Sequence, residues 1–206
     1  AIKSDVYSLS RLVSMLRLMP KDLNVDAVFA EVEQMLYQEV DYGHELAQTE
    51  AYFARYGNDP RYVVPRPLSE YCSDRLLVLS YESSHHVQDP CVQNLSQTQR
   101  NFLAESALHV FLDEFFVWNR VQTDPHFGNY RVRLGEGDAM PKLVMLDFGA
   151  TRVFEDKFVN IYRSLMHTAL QRDRFGVIDA SSKSNPMEHP FPTETLDAFV
   201  QGCFPI

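Results

Sequence analysis

The chain has 206 residues, of which 45% are hydrophobic and 23% are charged, so it has the proportions of a globular protein with a substantial core. Its net charge of −9 argues against a nucleic-acid-binding surface. The 3 cysteines, an odd number without metal-ligand spacing, argue against a disulfide framework and against a zinc site.

Helical periodicity dominates the first part of the chain. One amphipathic helix is predicted to end at Pro20 and a second to begin near Asp26. The apolar positions of the second helix recur at helical spacing: Val28, Phe29, Val32, Met35, Leu36 and Val40. Glu39 falls within this apolar stripe, whereas Asp41 and Glu45 are predicted to point away from it. A lone carboxylate on an apolar face should be paired or else neutral, so one of these two states is predicted for Glu39.

The middle of the chain alternates β-rich and polar stretches. Two short runs, VVPRPL and RLLVLSYE, flank a turn at Cys72–Asp74 and predict a hairpin. The stretch SSHHVQDPCVQN predicts a loop, in which the doublet His85–His86 is solvated because no further metal ligand lies at a suitable spacing. Ser96 and Gln99 form a capping box that predicts a long helix ending near Trp118.

A polar loop broken by Pro and Gly, QTDPHFGNY, follows that helix. The runs NYRVRL and KLVMLDF then predict a second hairpin around the turn LGEGDAMP. Helical periodicity returns from about Phe158 to Arg172, and the polar stretch SSKSNPMEHPFPTE predicts a connector before a last short helix from Thr195 to Val200. The order of elements predicts an α+β fold with the polar loop between a helix and a hairpin.

Three polar side chains in and after this loop form one pattern: Asp124, Asn129 and Asp147. Protein-kinase-like folds assemble phosphoryl transfer from an Asp that faces the acceptor hydroxyl, an Asn five residues later, and the Asp of a later DFG that joins the Asn in holding Mg²⁺. Magnesium is a hard cation and takes oxygen ligands. The pattern therefore predicts that Asp124 is catalytic and that Asn129 and Asp147 bind Mg²⁺.

Each residue of the loop also has a structural interpretation. Asp124 can cap its own backbone before Pro125, and Asn129 can be a turn residue. His126 stands where a general base could stand, but phosphoryl transfer needs little early proton abstraction. We therefore predict that His126 makes a hydrogen bond that orders the loop.

These motifs resemble the UbiB/ADCK (AarF) family of atypical protein-kinase-like proteins, which is linked to ubiquinone (coenzyme Q) biosynthesis. The family's DPHxGN loop is similar to residues 124–129, its LDFG motif to Leu146–Gly149, and its E-x-D element to Glu39–Asp41. The sequences QTDP and LDFGATR are especially similar to the coenzyme-Q branch. The resemblance implies an α+β, protein-kinase-like fold that is partial, with the end of the small lobe at residues 1–82 and a mostly helical large lobe at residues 83–206.

The resemblance also implies an ATP site. Glu39 would pair with a strand lysine that holds the α and β phosphates, although another acid of the same helix could take that place. The backbone at Ser80, Tyr81 and Glu82 would lie near adenine. The family's K-x-G-Q element, Ala-rich loop and strand lysine have no match in these residues. We therefore expect a fragment of a longer protein, cut at both ends and with little or no activity by itself.

The implied function is that of an atypical kinase or ATPase that binds ATP and Mg²⁺ and supports ubiquinone biosynthesis. The implied partners are lipids, quinone-pathway enzymes and a membrane surface, in the bacterial cytoplasm or, alternatively, at the matrix side of the mitochondrial inner membrane. Two other functions stay open: a small-molecule phosphotransferase of the aminoglycoside or choline kinase type, and a nucleotide-binding scaffold without turnover. Those phosphotransferases generally have H-G-D before the loop, where this chain has T-D-P-H.

Overall fold

The computed structural model describes residues 40–137 and 139–184, together with eight further positions: Leu9, Arg11, Phe29, Ala30, Val32, Glu33, Leu36 and Gly202. Apart from those positions, the two helices predicted before residue 40 and the last predicted helix lie outside the described residues. Within the predicted apolar stripe Phe29 is buried, whereas Leu36 and Val40 are exposed. The stripe is therefore not buried along its whole length.

The described residues form five α-helices and six strands. The helices are α1 (Tyr42–Tyr56), α2 (Pro90–Gln93), α3 (Gln97–Asp113), α4 (Asp156–Leu170) and α5 (Arg174–Ser184). The strands are β1 (Tyr62–Val63), β2 (His85–His86), β3 (Arg120–Gln122), β4 (Tyr130–Arg133), β5 (Lys142–Met145) and β6 (Thr151–Val153). A 3₁₀ turn spans Ser69–Tyr71, and a π-helical turn spans Glu114–Trp118. None of the described helices combines the length and the apolar character that a membrane crossing requires.

The chain divides into two compact units. The first contains residues 1–107 and 122–151, and the second contains residues 108–121 and 152–206. The first unit holds α1 and a four-stranded sheet. In the second unit an aromatic cluster packs beside α4, with ring centroids 5.2 Å apart for Phe154 and Phe158.

The four-stranded sheet has the strand order β1-β5-β4-β2. β4 and β5 pair antiparallel with Tyr130 opposite Met145, which confirms the second predicted hairpin. β1 lies parallel to β5, and β2 lies antiparallel to β4. Leu143, Val144 and Met145 are buried in succession, as in strands that are covered on both faces. The hairpin is thus the centre of the sheet.

The prediction of a loop at His85–His86 is wrong. These residues form β2 and pair with Val132 and Arg131 of β4. The run is polar and only two residues long, so it carries no local strand signal. Its extended conformation comes from pairing with β4, which lies more than forty residues later in the sequence.

The hairpin predicted around Cys72–Asp74 is present as a turn with sparse pairing. Ser73 N donates to Leu76 O at 2.8 Å, and Pro67 and Leu79 form an isolated bridge. Earlier in the same predicted region, β1 pairs with β5 rather than within this hairpin. The β-rich composition of this region indicates extended backbone, but it does not indicate that β1 pairs with β5.

Helix α1 begins at a break in the backbone at Asp41. Asp41 has φ −88° and ψ 81°, and its carboxylate accepts a hydrogen bond from His44 N at 2.9 Å. This N-cap resets the helical phase, so that Glu45 shares a face with the buried Thr49 and Tyr52. The prediction that Glu45 points away from the core is therefore wrong, because α1 does not continue the apolar stripe that precedes it.

The predicted capping box is present at the start of α3. Ser96 N donates to Gln99 Oε1 at 3.1 Å, and Gln99 N donates to Ser96 Oγ at 3.3 Å. The α-helix ends at Asp113, earlier than the predicted Trp118, because the π-helical turn follows it. Asn119 then ends the helical segment in the left-handed conformation, with φ 54°.

Helices continue to the end of the main described range. α4 confirms the helix predicted from about Phe158 to Arg172. α5 extends to Ser184, so the connector predicted from Ser181 is wrong over its first four residues. The hydroxyls of Ser181 and Ser182 donate to Ile178 O at 2.9 and 2.6 Å, which satisfies these polar side chains within the helix.

Candidate active site

The polar loop between β3 and β4 is held by short-range hydrogen bonds. His126 N donates to Asp124 O at 2.9 Å, and Asn129 N donates to His126 O at 3.0 Å. The amide of Asn129 is buried and donates through Nδ2 to Asp124 O at 2.9 Å. Because the amide nitrogen is used in this bond, the side-chain oxygen Oδ1 is the atom that remains to bind a cation. The carboxylate of Asp124, whose side chain is 56% exposed, extends toward solvent.

The β4–β5 hairpin brings Asn129 and Asp147 to the same end of the sheet. Beyond the last strand pair, Leu146 N donates to Asn129 O at 3.0 Å, so Asp147 lies one residue past the point opposite Asn129. Asp147 is exposed, and its Oδ1 accepts a hydrogen bond from Gly149 N at 3.0 Å. An amide oxygen and a carboxylate are thus presented together, and their role as metal ligands stays a prediction.

Gln122, at the end of β3, connects the two motifs. Its side chain is buried; Oε1 accepts a hydrogen bond from Asp124 N, and Nε2 donates to Asp147 O at 3.1 Å. One amide therefore holds the backbone of the loop and the backbone of the LDFG segment at a fixed separation. Thr123 adds two further bonds, from its N and its Oγ1 to Ala150 O at 3.2 and 2.7 Å.

His126 makes the loop-ordering hydrogen bond predicted for it. Its Nδ1 accepts from Gly128 N at 2.9 Å. A neutral imidazole that accepts at Nδ1 carries its proton on Nε2, and Nε2 lies 3.3 Å from Oδ2 of Asp124. Gly128 leaves room for the ring, since a Cβ added at Gly128 would lie 2.6 Å from Cε1 of His126. The imidazole of His126 is thus placed beside the carboxylate of Asp124.

Helix α1 packs on the LDFG segment through an aromatic pair. Tyr52 and Phe148 are 0% and 1% exposed, and their ring centroids are 4.2 Å apart. Glu45, on the same face of α1, lies beside Gly149: a Cβ added at Gly149 would be 3.9 Å from Cδ of Glu45. A half-buried carboxylate therefore borders the turn that carries Asp147.

The residues predicted to lie near adenine form a hydrogen-bonded corner. Ser80 N donates to Arg66 O, and Arg66 N donates to Ser80 Oγ, both at 2.8 Å. Ser80 Oγ also donates to Glu82 Oε1 at 2.6 Å, and Arg133 of β4 forms an ion pair with Glu82. Tyr81 is 91% exposed. The side chain of Glu82 thus stabilises the corner, and contact of this backbone with adenine stays a prediction.

The geometry suits a site for a hard divalent cation. The candidate ligands are oxygens, which suit hard divalent cations. They are held by backbone hydrogen bonds at the end of a buried hairpin, as a preorganised electrostatic site requires. A family model described as the ABC1 atypical kinase-like domain matches residues 1–181.

The chain belongs to the ABC1 family of atypical kinase-like proteins. The resemblance to UbiB/ADCK proteins is thereby confirmed, and so is the partial protein-kinase-like fold. The mitochondrial atypical kinase COQ8 of Saccharomyces cerevisiae is 32% identical over 181 residues, which are 88% of this chain and 35% of that protein. The mitochondrial atypical kinase coq-8 of Caenorhabditis elegans is 31% identical over 87% of this chain and 24% of that protein. This ABC1-family chain therefore spans about a third or less of the length of these relatives.

A solved structure supports the fold. The complex of Rv3197 with erythromycin from Mycobacterium tuberculosis matches with a TM-score of 0.69, over 98% of this chain and 50% of that chain. The sequences are 18% identical, so the likeness concerns the fold of this ABC1-family chain.

Two residues at the site of this ABC1-family chain were missed as site residues by reasoning from sequence. Gln122 had no signal beyond its place in QTDP, because its two bonds join segments that lie far apart in the chain. Helical periodicity misplaces Glu45, because it does not show the N-cap at Asp41. Glu39, the acid predicted to pair with a lysine, lies outside the described residues.

Proposed function

We propose that this chain carries the Mg²⁺-ATP site of an atypical kinase or ATPase that supports ubiquinone biosynthesis. The observation that carries the proposal is the convergence of Asp124, Asn129 and Asp147 at one end of the β4–β5 hairpin. In phosphoryl transfer an Asp orients the acceptor hydroxyl, while an Asn and a second Asp hold the metal ions that bridge the phosphates. The family match favours this function over a phosphotransferase of the aminoglycoside type.

The residues present fit a magnesium ion. The side chain of Asp147 is exposed, and a hydrogen bond from Gly149 N holds its Oδ1 in place. The side-chain nitrogen of Asn129 donates to Asp124 O, which leaves the side-chain oxygen to bind the ion. Magnesium usually keeps several waters and takes one or two protein oxygens together with substrate phosphates. When bound, the ion would neutralise charge on the transferring phosphoryl group. Asp124, oriented by His126, would receive the acceptor hydroxyl.

In kinase-like folds a helix glutamate pairs with the strand lysine that holds the α and β phosphates, and we propose that a glutamate between residues 39 and 45 has this role. Glu39 was the first candidate for this partner. Glu45 is a second candidate for the partner of this lysine, because it is half-buried and lies beside Gly149, in the turn that carries Asp147.

We further propose that residues 1–82 belong to the small lobe and residues 83–206 to the large lobe, with Ser80–Glu82 at the adenine side.

We infer the location and the partners from the names of the relatives and from the proposed role. The proteins of yeast and Caenorhabditis elegans are named as mitochondrial, which favours the mitochondrial matrix side over the bacterial cytoplasm for this chain. Lipids, quinone-pathway enzymes and a membrane surface are the partners that a role in ubiquinone biosynthesis would require. These assignments concern the whole protein, of which the chain is the part that carries the candidate site.

Turnover of labelled ATP by the full-length protein tests the proposal. We expect Mg²⁺-dependent turnover in the wild type, loss of nearly all of it in Asp147→Asn, and wild-type turnover in Asp74→Asn. Asp74 is a matched control because it is exposed in the turn at Cys72–Asp74 and is not one of the candidate ligands. If the wild type and both variants bound ATP without turnover, the result would instead support a nucleotide-binding scaffold. If the wild type neither bound ATP nor turned it over, the proposed site would be wrong.

Gly128→Ala is expected to lower turnover by about 10-fold to 100-fold, because the new Cβ displaces His126 and with it the carboxylate of Asp124. The lost hydrogen bond is exposed, so the free energy of unfolding should fall by no more than about 1 kcal/mol. Turnover assays and urea unfolding of the same preparations measure the two effects. Gly43→Ala, where a Cβ meets its nearest atom at 3.4 Å, is the control. Unchanged turnover in Gly128→Ala would show that His126 does not position Asp124.

A further inference from the structure

A second group of metal-ligating side chains lies apart from the LDFG turn, at β2 and α2. The donor atoms of His85, Asp89 and Cys91 all lie within 4.8 Å of one another. His85 Nδ1 is 3.9 Å from Asp89 Oδ2, and their side chains are 47% and 44% exposed. Cys91 is exposed and is a free thiol. The three side chains are therefore close together and accessible to an ion from solvent.

The backbone between His85 and Asp89 forms a tight turn that holds these two residues close together. Asp89 N donates to His86 O at 2.9 Å, and His86 N donates to Asp89 Oδ2 at 2.8 Å. The second bond orients the carboxylate, as an outer partner of a metal ligand does. On one side His85 is held in β2 by pairing with β4, and on the other the buried Val92 anchors α2. The cluster is thus built from anchored elements rather than from a loose loop.

We propose that His85, Asp89 and Cys91 bind a zinc ion. An imidazole nitrogen, a carboxylate oxygen and a thiolate sulfur are the three ligand types that zinc takes in proteins, and three protein ligands leave a fourth position for water. Magnesium and calcium prefer sets made of oxygens alone, so this cluster and the pair Asn129 and Asp147 would select different metals. A carboxylate from Asp89 and a thiolate from Cys91 would together carry two negative charges, which would balance the two positive charges of the zinc ion.

The geometry requires a small closure. Zinc–nitrogen or zinc–oxygen bonds of about 2.0 Å and a zinc–sulfur bond of about 2.3 Å put the three ligand atoms of a tetrahedral site about 3.3–3.5 Å apart. The three ligand atoms, which lie within 4.8 Å of one another, would therefore have to approach by up to about 1.3 Å. Cys91 is exposed and can supply most of this movement by rotation of its side chain. The spacing H-x₃-D-x-C is not a standard zinc motif, and the strand that places His85 has no local signal, so the sequence alone does not predict this site.

The bound ion would act as a clamp between β2 and α2. β2 is an outer strand of two residues, and such a short strand has few hydrogen bonds of its own. A ligand that binds the folded state and not the unfolded one raises the stability of the elements that it joins. Zinc is therefore expected to raise the melting temperature of the protein and to protect the Cys91 thiol from alkylation.

Cobalt binding to metal-free full-length protein tests the proposal, because a cobalt–thiolate bond gives a charge-transfer band in the near ultraviolet. We expect a band that saturates at one ion per chain, that zinc removes and that excess Mg²⁺ leaves in place. Cys91→Ser should abolish the band, and His85→Gln should weaken zinc binding at least tenfold. Cys72→Ser and Cys203→Ser are matched controls that should retain the band.

Three results would overturn the zinc site. These are the absence of saturable binding, a band that survives in Cys91→Ser, and a band that disappears in either control. The result is independent of the proposed nucleotide site, since Asp147→Asn should bind cobalt like the wild type. Loss of ATP turnover in that variant with retained cobalt binding would separate the two sites directly.

Discussion

Phe148→Ala should lower the free energy of unfolding by about 3–5 kcal/mol, the usual cost of replacing a fully buried phenylalanine. Phe148 is 1% exposed, and its ring lies against that of Tyr52, which is 0% exposed. Alanine would leave a cavity between α1 and the LDFG segment, and close packing on both sides prevents the cavity from collapsing completely. Urea unfolding of the full-length protein measures the loss.

Phe127→Ala is the matched control, because Phe127 is 66% exposed and should change the free energy of unfolding by no more than about 0.5 kcal/mol. A double-mutant cycle isolates the ring pair. Tyr52→Ala and Phe148→Ala together should cost about 0.5–1.5 kcal/mol less than the sum of the two single losses, since each single variant already removes the contact. Additive losses, or a loss below about 1 kcal/mol in Phe148→Ala, would contradict packing of α1 on this segment.

Gln122→Met is expected to lower ATP turnover by about 100-fold, the effect of misplacing reacting groups by about 1 Å. Methionine has a similar size but lacks the oxygen that accepts from Asp124 N and the nitrogen that donates to Asp147 O. Each lost hydrogen bond also costs about 1 kcal/mol of stability. Turnover must therefore be measured at a temperature at which circular dichroism shows that the variant is folded.

Gln122→Glu keeps only one of the two bonds. Its carboxylate can still accept from Asp124 N, but at this buried position its second oxygen faces Asp147 O without a proton to donate, so its turnover should fall at least as far as that of Gln122→Met. Gln97→Met is the control, because Gln97 is exposed on the first turn of α3 and bonds to Asn101. A folded Gln122→Met protein with wild-type turnover would show that the bridge does not position the loop. This prediction rests on the proposed function.

The parts of the site that the sequence predicted are those with local causes. The capping box of Ser96 and Gln99 depends on residues within one turn, and the β4–β5 hairpin depends on two neighbouring runs with a strong turn signal between them. The convergence of Asn129 with Asp147 then follows from the pairing of the hairpin. Asp124 belongs to the same loop as Asn129, so its place was predictable too.

The parts that the sequence did not predict depend on distant residues or on a break in helical phase. β2 exists because β4 pairs with it, and the cluster of His85, Asp89 and Cys91 depends in turn on β2. The position of Glu45 depends on the non-helical backbone at Asp41, which a periodicity count through that residue cannot detect. The connection made by Gln122 is likewise long-range, since its amide reaches Asp147.

The strand order of the sheet has a consequence for synthesis on the ribosome. Both outer strands, β1 and β2, precede in sequence the hairpin that they flank, and Tyr62 pairs with Leu143 about eighty residues later. At roughly 5–20 residues per second, β1 waits about 4–16 s for its partner to be made. During that interval the apolar residues Tyr62 and Val63 have no β5 to pair with, so the sheet can form only after the whole β4–β5 hairpin has been made.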